Sequence, residues 1–377
     1  MSEVWHVVND DKLGQVDRAV EFLMGEYCPI DADPIWSAEY FRWKLGATNP
    51  AGAGYLTLAV AGGKVVGTVS LTRKRLLIGG KECHGGEVGD SYTSVSQRRG
   101  GQPAELYPED NDKNSYINKS IFGRLASMTR HRAEADGISL IYGTPNRNAY
   151  PGWTNRLNYF DFERCRIAAF VRPTPRLIIA IYPKISALRG VLRSLEAVST
   201  SILKWTYKCT ARRNQTIERG APSAAEIDEL WQRTSSKANF SLVRDGAYWT
   251  HRYLEHPLAK YDLFSVRESG RLCGVAATRT FSAGKGRRQL AIVEWMNEEN
   301  VSFGWLLAEI VSNYKNCGID YYHLYASEGT REAVAVTRNL FLRRPRVPVI
   351  LADTQQARRL QMDSCQVELY LGSTDAV

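Results

Sequence analysis

The sequence predicts an α/β protein made of two tandem units, each a mixed, mostly antiparallel twisted sheet flanked by helices. Three observations carry this expectation. Short apolar runs of strand character alternate with segments of helical period. A turn-and-strand pattern returns at a fixed offset: Pro50 and Pro257 stand 207 residues apart, and so do Gly67 and Gly274. The 377 residues suffice for two ordinary domains with full cores.

The elements follow in order. Residues 16–24 have the spacing of an amphipathic helix. An aromatic and basic stretch, Tyr40-Phe41-Arg42-Trp43-Lys44, leads to a turn at Asn49-Pro50. Strands are expected at 55–61 and 64–72, joined at Gly62-Gly63, which is a hairpin signal. The second half repeats this with Tyr248-Trp249-Thr250-His251-Arg252, then Pro257, strands around a turn at 268–270, and Gly274. A constant offset across a lead-in, a turn and two strands indicates internal duplication. After the first hairpin come a strand at 87–95, a polar insert at 97–114, a helix that begins within 116–125, and a strand after Gly137. Expected domain limits are 1–175 and 222–377. Between them, 177–181 reads as a strand. Residues 185–205 read as a helix whose apolar positions (Leu188, Val191, Leu192, Leu195) are expected to pack on the domains rather than lie on a membrane. A linker is expected at 210–220.

Composition excludes several classes. With 44% hydrophobic and 24% charged residues, the chain reads as soluble and globular. No apolar run reaches the ~20 residues of a membrane span. Residues 1–6 show no basic region followed by an apolar core, so no secretory leader is expected. The seven cysteines are scattered without a Cys-x-x-Cys pair. That favours a reduced, cytoplasmic protein without structural zinc. The six histidines are isolated, so no metal is expected. The net charge of +9 is dispersed over pairs such as Arg98-Arg99, Arg212-Arg213 and Arg287-Arg288. It forms no stripe, which argues against nucleic acid and allows small phosphorylated ligands. Nothing in the sequence points to an oligomeric state.

The start of the 116–125 helix is the first place to look for such a ligand. The first amides of a helix lack internal partners and carry the positive end of its dipole. No acidic residue lies between Ser115 and Leu125. The second half instead places Glu294, Glu298 and Glu299 ahead of a helix expected at 301–314. Those carboxylates would repel a pyrophosphate and stabilise the helix instead.

The run Tyr116-Ile117-Asn118-Lys119-Ser120-Ile121-Phe122 resembles motif A of the GNAT acyl-CoA transferases, often written Tyr-Arg-Gly-Lys-Gly-Ile-Phe in that family. Lys119, Ile121 and Phe122 match, while Asn118 and Ser120 replace the glycines. The resemblance implies acyl-CoA as acyl donor, bound by the first half alone, with its pyrophosphate on the amides of Asn118 to Phe122. It also implies that the backbone near Tyr92, Thr93 and Ser94 polarises the thioester carbonyl, and that Asn146 and Asn148 contact the cofactor. Family members draw a base from the strand before motif A. Here that strand carries Glu87 and Asp90, and Asp90 is the first candidate. They draw an acid from a tyrosine in Tyr-x-x-x-Gly-Phe. Here Thr154 holds that position and Asn158-Tyr159 replaces Gly-Phe, which leaves Tyr150 as a stand-in acid.

Tandem proteins with a Phe41-Arg42-Trp43-Lys44 lead-in and a Pro145-Asn146 to Tyr150 segment resemble sugar N-acyltransferases. Those acylate dTDP-linked amino dideoxyhexoses for surface polysaccharides, with acetyl or 3-hydroxybutyryl donors. The resemblance implies a nucleotide-sugar acceptor between the domains, with Arg42 and Lys44 on the diphosphate, Trp43 or Trp249 on the base, and Glu87 and Arg252 nearby. Two alternatives stand beside it: a peptide, protein or aminoacyl-type N-acyltransferase, and a non-catalytic acyl-CoA-binding protein.

Overall fold

The structure is a computed structural model that describes residues 4–27, 37–97, 120–163, 165, 167–210, 214–235, 240–283, 286–328, 330–362 and 367–368. Asn118, Lys119 and most of the insert before them lie outside these residues.

The hairpins set the frame. Strand β2 (Tyr55–Ala61), buried along its whole length, pairs with β3 (Lys64–Ile78). Gly62 and Gly63 join them with φ of 53° and 76°, the left-handed region a two-residue turn needs. The register breaks between Ala59 and Val60. In the second half β10 (Asp262–Glu268) pairs with β11 (Arg271–Ala283), and the break falls between Val266 and Arg267. The same irregularity therefore recurs at the offset read from the sequence.

Among the described residues, nine strands form the first sheet. Its order is β1 (Trp5–Asn9), β2, β3, β4 (Lys81–Thr93), β5 (Leu140–Gly143), β15 (Ile350–Ala352) and β6 (Tyr159–Asp161), with β9 (Phe240–Leu242) beside β3 and β16 (Val367–Glu368) beside β9. The second sheet runs β8 (Gln215–Arg219), β10, β11, β12 (Arg287–Asn297), β13 (Tyr321–Ser327), β7 (Ile167–Pro173) and β14 (Leu342–Arg346). Neighbours are antiparallel except β4 with β5, β12 with β13, and β16 with β9.

The sheets exchange strands. β7 pairs with β13 of the second sheet, and β15 pairs with β5 and β6 of the first. The limit at residue 175 read from the sequence therefore does not separate the sheets. Backbone pairing is indifferent to sequence distance, and an apolar strand pattern does not say which sheet receives it.

Helices cover both faces of each sheet. On the first, α1 (Val16–Tyr27) and α2 (Ala38–Leu45) bury Leu23, Phe41 and Leu45 against Leu56 and Leu58. On its other face, α3 (Ile121–Ala135) and α4 (Tyr150–Arg156) bury Ile121, Leu125 and Trp153 against Val69 and Leu71. On the second sheet, α7 (Ala224–Thr234) and α8 (Gly246–Trp249), which runs into a π-helical turn over Thr250–Leu254, face α9 (Phe303–Tyr314) and α10 (Arg331–Arg338) across the strands. A further cluster, including Leu76, Tyr142, Phe162, Phe240 and Leu351, ties the halves together. Each such side chain contributes roughly 1.5–3 kcal/mol on full burial.

The connecting segment departs from expectation twice. Residues 175–181 form helix α5 (Pro175–Ile181), not a strand. Thr174 is extended and Pro175 occupies the first helical position, where its fixed φ is already helical. A short apolar run alone cannot separate the two states. Helix α6 (Arg189–Thr210) forms as expected after a 3₁₀ turn over Pro183–Leu188, but of the four apolar positions expected to pack on the domains only Leu192 is partly buried. Leu188, Val191 and Leu195 are exposed. Thr200 and Tyr207 face inward instead. Helix α11 (Gln355–Met362) precedes β16. No helix among the described residues is long and apolar enough to cross a membrane.

Candidate active site

The first candidate feature is a gap at the centre of the first sheet. β4 and β5 run parallel and pair only over Gly85–Glu87 and Leu140–Tyr142. β4 continues to Thr93, while β5 ends at Gly143. Beyond Glu87 the ladder between them stops, and a wedge opens. Within it, Ser70 faces Gly89 and Thr68 faces Tyr92, so two residues of β4, Asp90 and Ser91, oppose one on β3. This bulge holds Asp90 at φ 45°, a left-handed conformation that aspartate tolerates better than most residues.

Helix α3 starts at the mouth of the wedge. Ser120 is extended, and its hydroxyl accepts from the Gly123 amide at 2.9 Å. Such a cap stabilises a helix by ~1 kcal/mol. The amides of Ile121 and Phe122 have no acceptor among the described residues, and no acid stands in the first turn. The helix can sit close because β3 carries Gly67 there. A Cβ on Gly67 would lie 2.4 Å from Ile121 Cγ2 and 3.2 Å from Leu125 Cδ1. The Ile121 side chain is core. The Phe122 ring meets Trp153 edge-on at 5.0 Å, which ties α4 and its first residue, Tyr150, to the start of α3. Burial raises the Tyr150 hydroxyl above its ordinary pKa, so it keeps its proton at neutral pH. The Asn146 carbonyl oxygens close their own turn, with Oδ1 accepting from the amides of Asn148 and Ala149. Asn148 itself is exposed.

Not every residue expected at the thioester faces it. Tyr92 packs its ring on Phe22 and donates its hydroxyl to the Glu26 carbonyl. Ser94 spends its amide on the Val66 carbonyl and its hydroxyl on Glu26. Strand alternation then turns the Thr93 amide to the edge away from β3.

The second feature is a cleft of about 490 Å³, partly open to solvent, between the halves. Trp43 and Lys44 of α2, Thr72 to Arg75 of β3, and Tyr248, His251 and Arg252 of the second half line it. The lining carries five full cations (Lys44, Arg73, Lys74, Arg75, Arg252) and no carboxylate. The acids that balance them stand behind. Lys44 Nζ lies 2.7 Å from Asp90 Oδ2, with side-chain exposures of 1% and 10%, and Ser70 donates to the same oxygen at 2.5 Å. Lys74 pairs with the buried Glu87 at 3.1 Å. Arg75 is bound by Glu82 and Asp245, and Arg73 by Asp136. Trp43 stacks on His251 at 4.5 Å and 14°, with the Arg252 guanidinium 5.9 Å from its ring. Behind Tyr248, the Glu294 carboxylate accepts from the hydroxyls of Tyr248 and Tyr253, and burial lifts its pKa above the usual range.

The cleft thus gathers Trp43, Lys44 and Arg252, with Glu87 behind Lys74. It does not gather Arg42, which is exposed and paired with Asp17. Trp249 is fully buried in its own half, its ring 4.7 Å from Tyr253, and is corrected to a core residue. Sequence reasoning missed Arg73, Lys74, Arg75, Tyr248 and His251. A run of three basic residues just past the expected strand end was the available signal.

The second half has a matching wedge, since β12 pairs with β13 only to Ile292 and runs on to Asn297. Its helix start is closed, though not by the expected charges. Glu294 points into the protein, and Glu298 is paired with Arg233 and Arg271. The closure is steric. A Cβ on Gly304 would lie 2.5 Å from the Tyr207 ring of α6, and Phe303 stacks on Trp295 at 4.4 Å. Among the described residues, no cluster of His, Cys, Asp or Glu is arranged to hold a metal.

No family model and no curated protein matches the chain. Solved structures do resemble it. A probable N-acyltransferase of unknown function from Enterococcus faecalis aligns with a TM-score of 0.58 at 13% identity, over 94% of this chain and 74% of that one. A GCN5-related N-acetyltransferase from Anabaena variabilis aligns at 0.57 and 11%, over 92% and 72%. The Saccharomyces cerevisiae N-myristoyltransferase, solved with bound myristoyl-CoA, aligns at 0.57 and 10%, over 93% and 83%. With a wedge between parallel central strands in each sheet and a helix starting at its mouth, this chain has the GCN5-related N-acetyltransferase fold.

Proposed function

We propose that the chain is an acyl-CoA-dependent N-acyltransferase whose acceptor is the amino group of a nucleotide-linked amino sugar. The observation that carries it is the placement of two unlike sites on either side of β3 and β4. One is an open wedge with helix amides at its mouth that have no acceptor among the described residues. The other is a cation-lined cleft with an aromatic wall. The coenzyme's pyrophosphate binds the amides of Ile121 and Phe122, and the acyl-pantetheine lies in the wedge. The nucleotide diphosphate meets Arg73, Arg75 and Arg252 beside the aromatic wall of Trp43. The second half binds no coenzyme, because α6 and Phe303 fill the equivalent place.

The amine attacks the thioester carbonyl, the nitrogen of the tetrahedral intermediate gives its proton to water, the C–S bond breaks as the intermediate collapses, and the thiolate leaves with a proton that its donor recovers from solvent. The Thr93 amide polarises the carbonyl, and Tyr150, which keeps its proton, supplies it to the sulfur. A sugar amine titrates near an α-amine, about 8, so roughly a tenth is neutral at pH 7 and a base would gain only about 1.4 kcal/mol. Positioning dominates. Asp90 is engaged by an ammonium and a hydroxyl, and it acts as the anchor of Lys44. Acyl-CoA and dTDP should each raise the melting temperature, and together more than either alone. Thiol release should then require an amino-sugar nucleotide. Stabilisation by acyl-CoA with none by dTDP, and turnover of peptides instead, would overturn the acceptor assignment.

A further inference from the structure

Helix α6 presents its apolar side to solvent. Leu188, Val191, Leu195, Val198, Ile202 and Trp205 are 51–69% exposed. Their spacing of three and four residues places them in one stripe, ~26 Å long at 1.5 Å per residue. Ile181 and Tyr182 extend it at the N-terminal end, at 47% and 62% exposure. The stripe is not loose chain. The opposite side of the helix is fixed to the second half: Thr200 accepts from the buried Arg172, Tyr207 covers Gly304, and Lys204 pairs with Glu309 at 2.7 Å. A surface helix of a soluble domain turns its apolar stripe inward; this one is held with the stripe outward.

We propose that this stripe seats the protein on an anionic membrane surface, with the helix in the plane of the interface. Charge selects the occupant. Between Ile181 and Thr210 stand Lys184, Arg189, Arg193, Lys204 and Lys208 against one acid, Glu196. A second copy packed on the stripe would set like charges side by side, whereas helices that pair through such stripes carry flanking charges of both signs. Lys204 is held on the inward side by Glu309, and an anionic lipid surface complements the other four. Tyr182 and Trp205, an aromatic near each end, suit the boundary between headgroup and acyl chain. The contact lies on the membrane and does not cross it. It is independent of the proposed reaction.

The test uses the full chain and floating lipid vesicles. Binding is expected to vesicles with about 30% phosphatidylglycerol and not to pure phosphatidylcholine, and it should weaken as salt rises from ~0.1 to ~0.5 M. Leu195→Glu and Ile202→Glu should each lower partitioning at least about tenfold. Their melting temperatures should stay at the wild-type value, because both side chains are exposed. Trp205 emission, taken as the difference from Trp205→Phe, should shift to shorter wavelength on binding. Absence of vesicle binding at every anionic fraction would overturn the proposal, as would equal binding by the variants. A dimer in sedimentation that Leu195→Glu dissociates would overturn it too, and would assign the stripe to a second copy.

Discussion

Replacing Asp90 with asparagine should lower the stability of the first half. The carboxylate is the partner of Lys44, whose side chain is 1% exposed and whose Nζ lies 2.7 Å away. Removing one member of a buried ion pair leaves an uncompensated charge and costs about 3–5 kcal/mol. Asparagine keeps an acceptor oxygen, so the lower figure applies. At ~2–4 °C per kcal/mol for a domain of this size, the melting temperature should fall by roughly 6–12 °C. Lys44→Met should also destabilise, but less, because Asp90 retains the Ser70 hydroxyl and some solvent. The double variant Lys44→Met/Asp90→Asn should recover a large part of the loss, since a well-packed uncharged pair is often as stable as a buried ionic one. Calorimetric melts of the four proteins form a double-mutant cycle, with acyl-CoA turnover measured at temperatures where all four are folded. If Asp90→Asn melts within about 1 °C of wild type yet loses turnover by two orders of magnitude, the anchoring role is wrong and the carboxylate is a catalytic base.

Three further outcomes are expected. Gly67→Ala places a Cβ against Ile121 and Leu125, so it should cost about 1–3 kcal/mol and raise the KM for acyl-CoA, because it pushes back the start of α3; an unchanged KM would detach α3 from the coenzyme site. Tyr150→Phe should lower kcat by roughly 10²-fold, with little change in melting temperature or acyl-CoA affinity; an unchanged kcat would remove Tyr150 as the acid. Arg267, then the Ser223 cap, hold the Glu226 carboxyl down to about 2 in the folded chain. Its contribution is complete above the unfolded value of about 4.3 and is lost as pH falls from there towards 2. Glu226→Gln should therefore be less stable than wild type at pH 6 and converge with it near pH 2, and a constant difference across that range would contradict the assignment.

What was legible in the sequence was local or periodic. The hairpin at Gly62-Gly63 and the turn at 268–270 depend on residues close in the chain, and the duplication on a constant offset. The strand exchange had no such signal, because β7 and β15 are apolar strands that either sheet would accept. The helix at 175–181 was hidden in a short apolar run, and Pro175 was the cue to it. The repeated aromatic-basic lead-in supplies Trp43, Lys44 and Arg252 to the cleft lining, and also the buried Trp249 and the exposed Arg42, which stand outside it. A helix shows a sequence all its faces at once, and only the packing of α2 and α8 decides which face is inside. The acids before α9 were read as closing that helix start by charge; the structure adds a tyrosine ring packed on Gly304, which no local pattern announced.

The account depends most on one half holding the coenzyme and the other being closed to it. Hydrogen exchange of the full chain with and without acetyl-CoA tests this directly. Protection is expected in the peptides that span Ile121 to Gly123 and the end of β4 near Thr93, with none added at Ser302 to Trp305. Protection at the α9 start, or at neither helix, would contradict it.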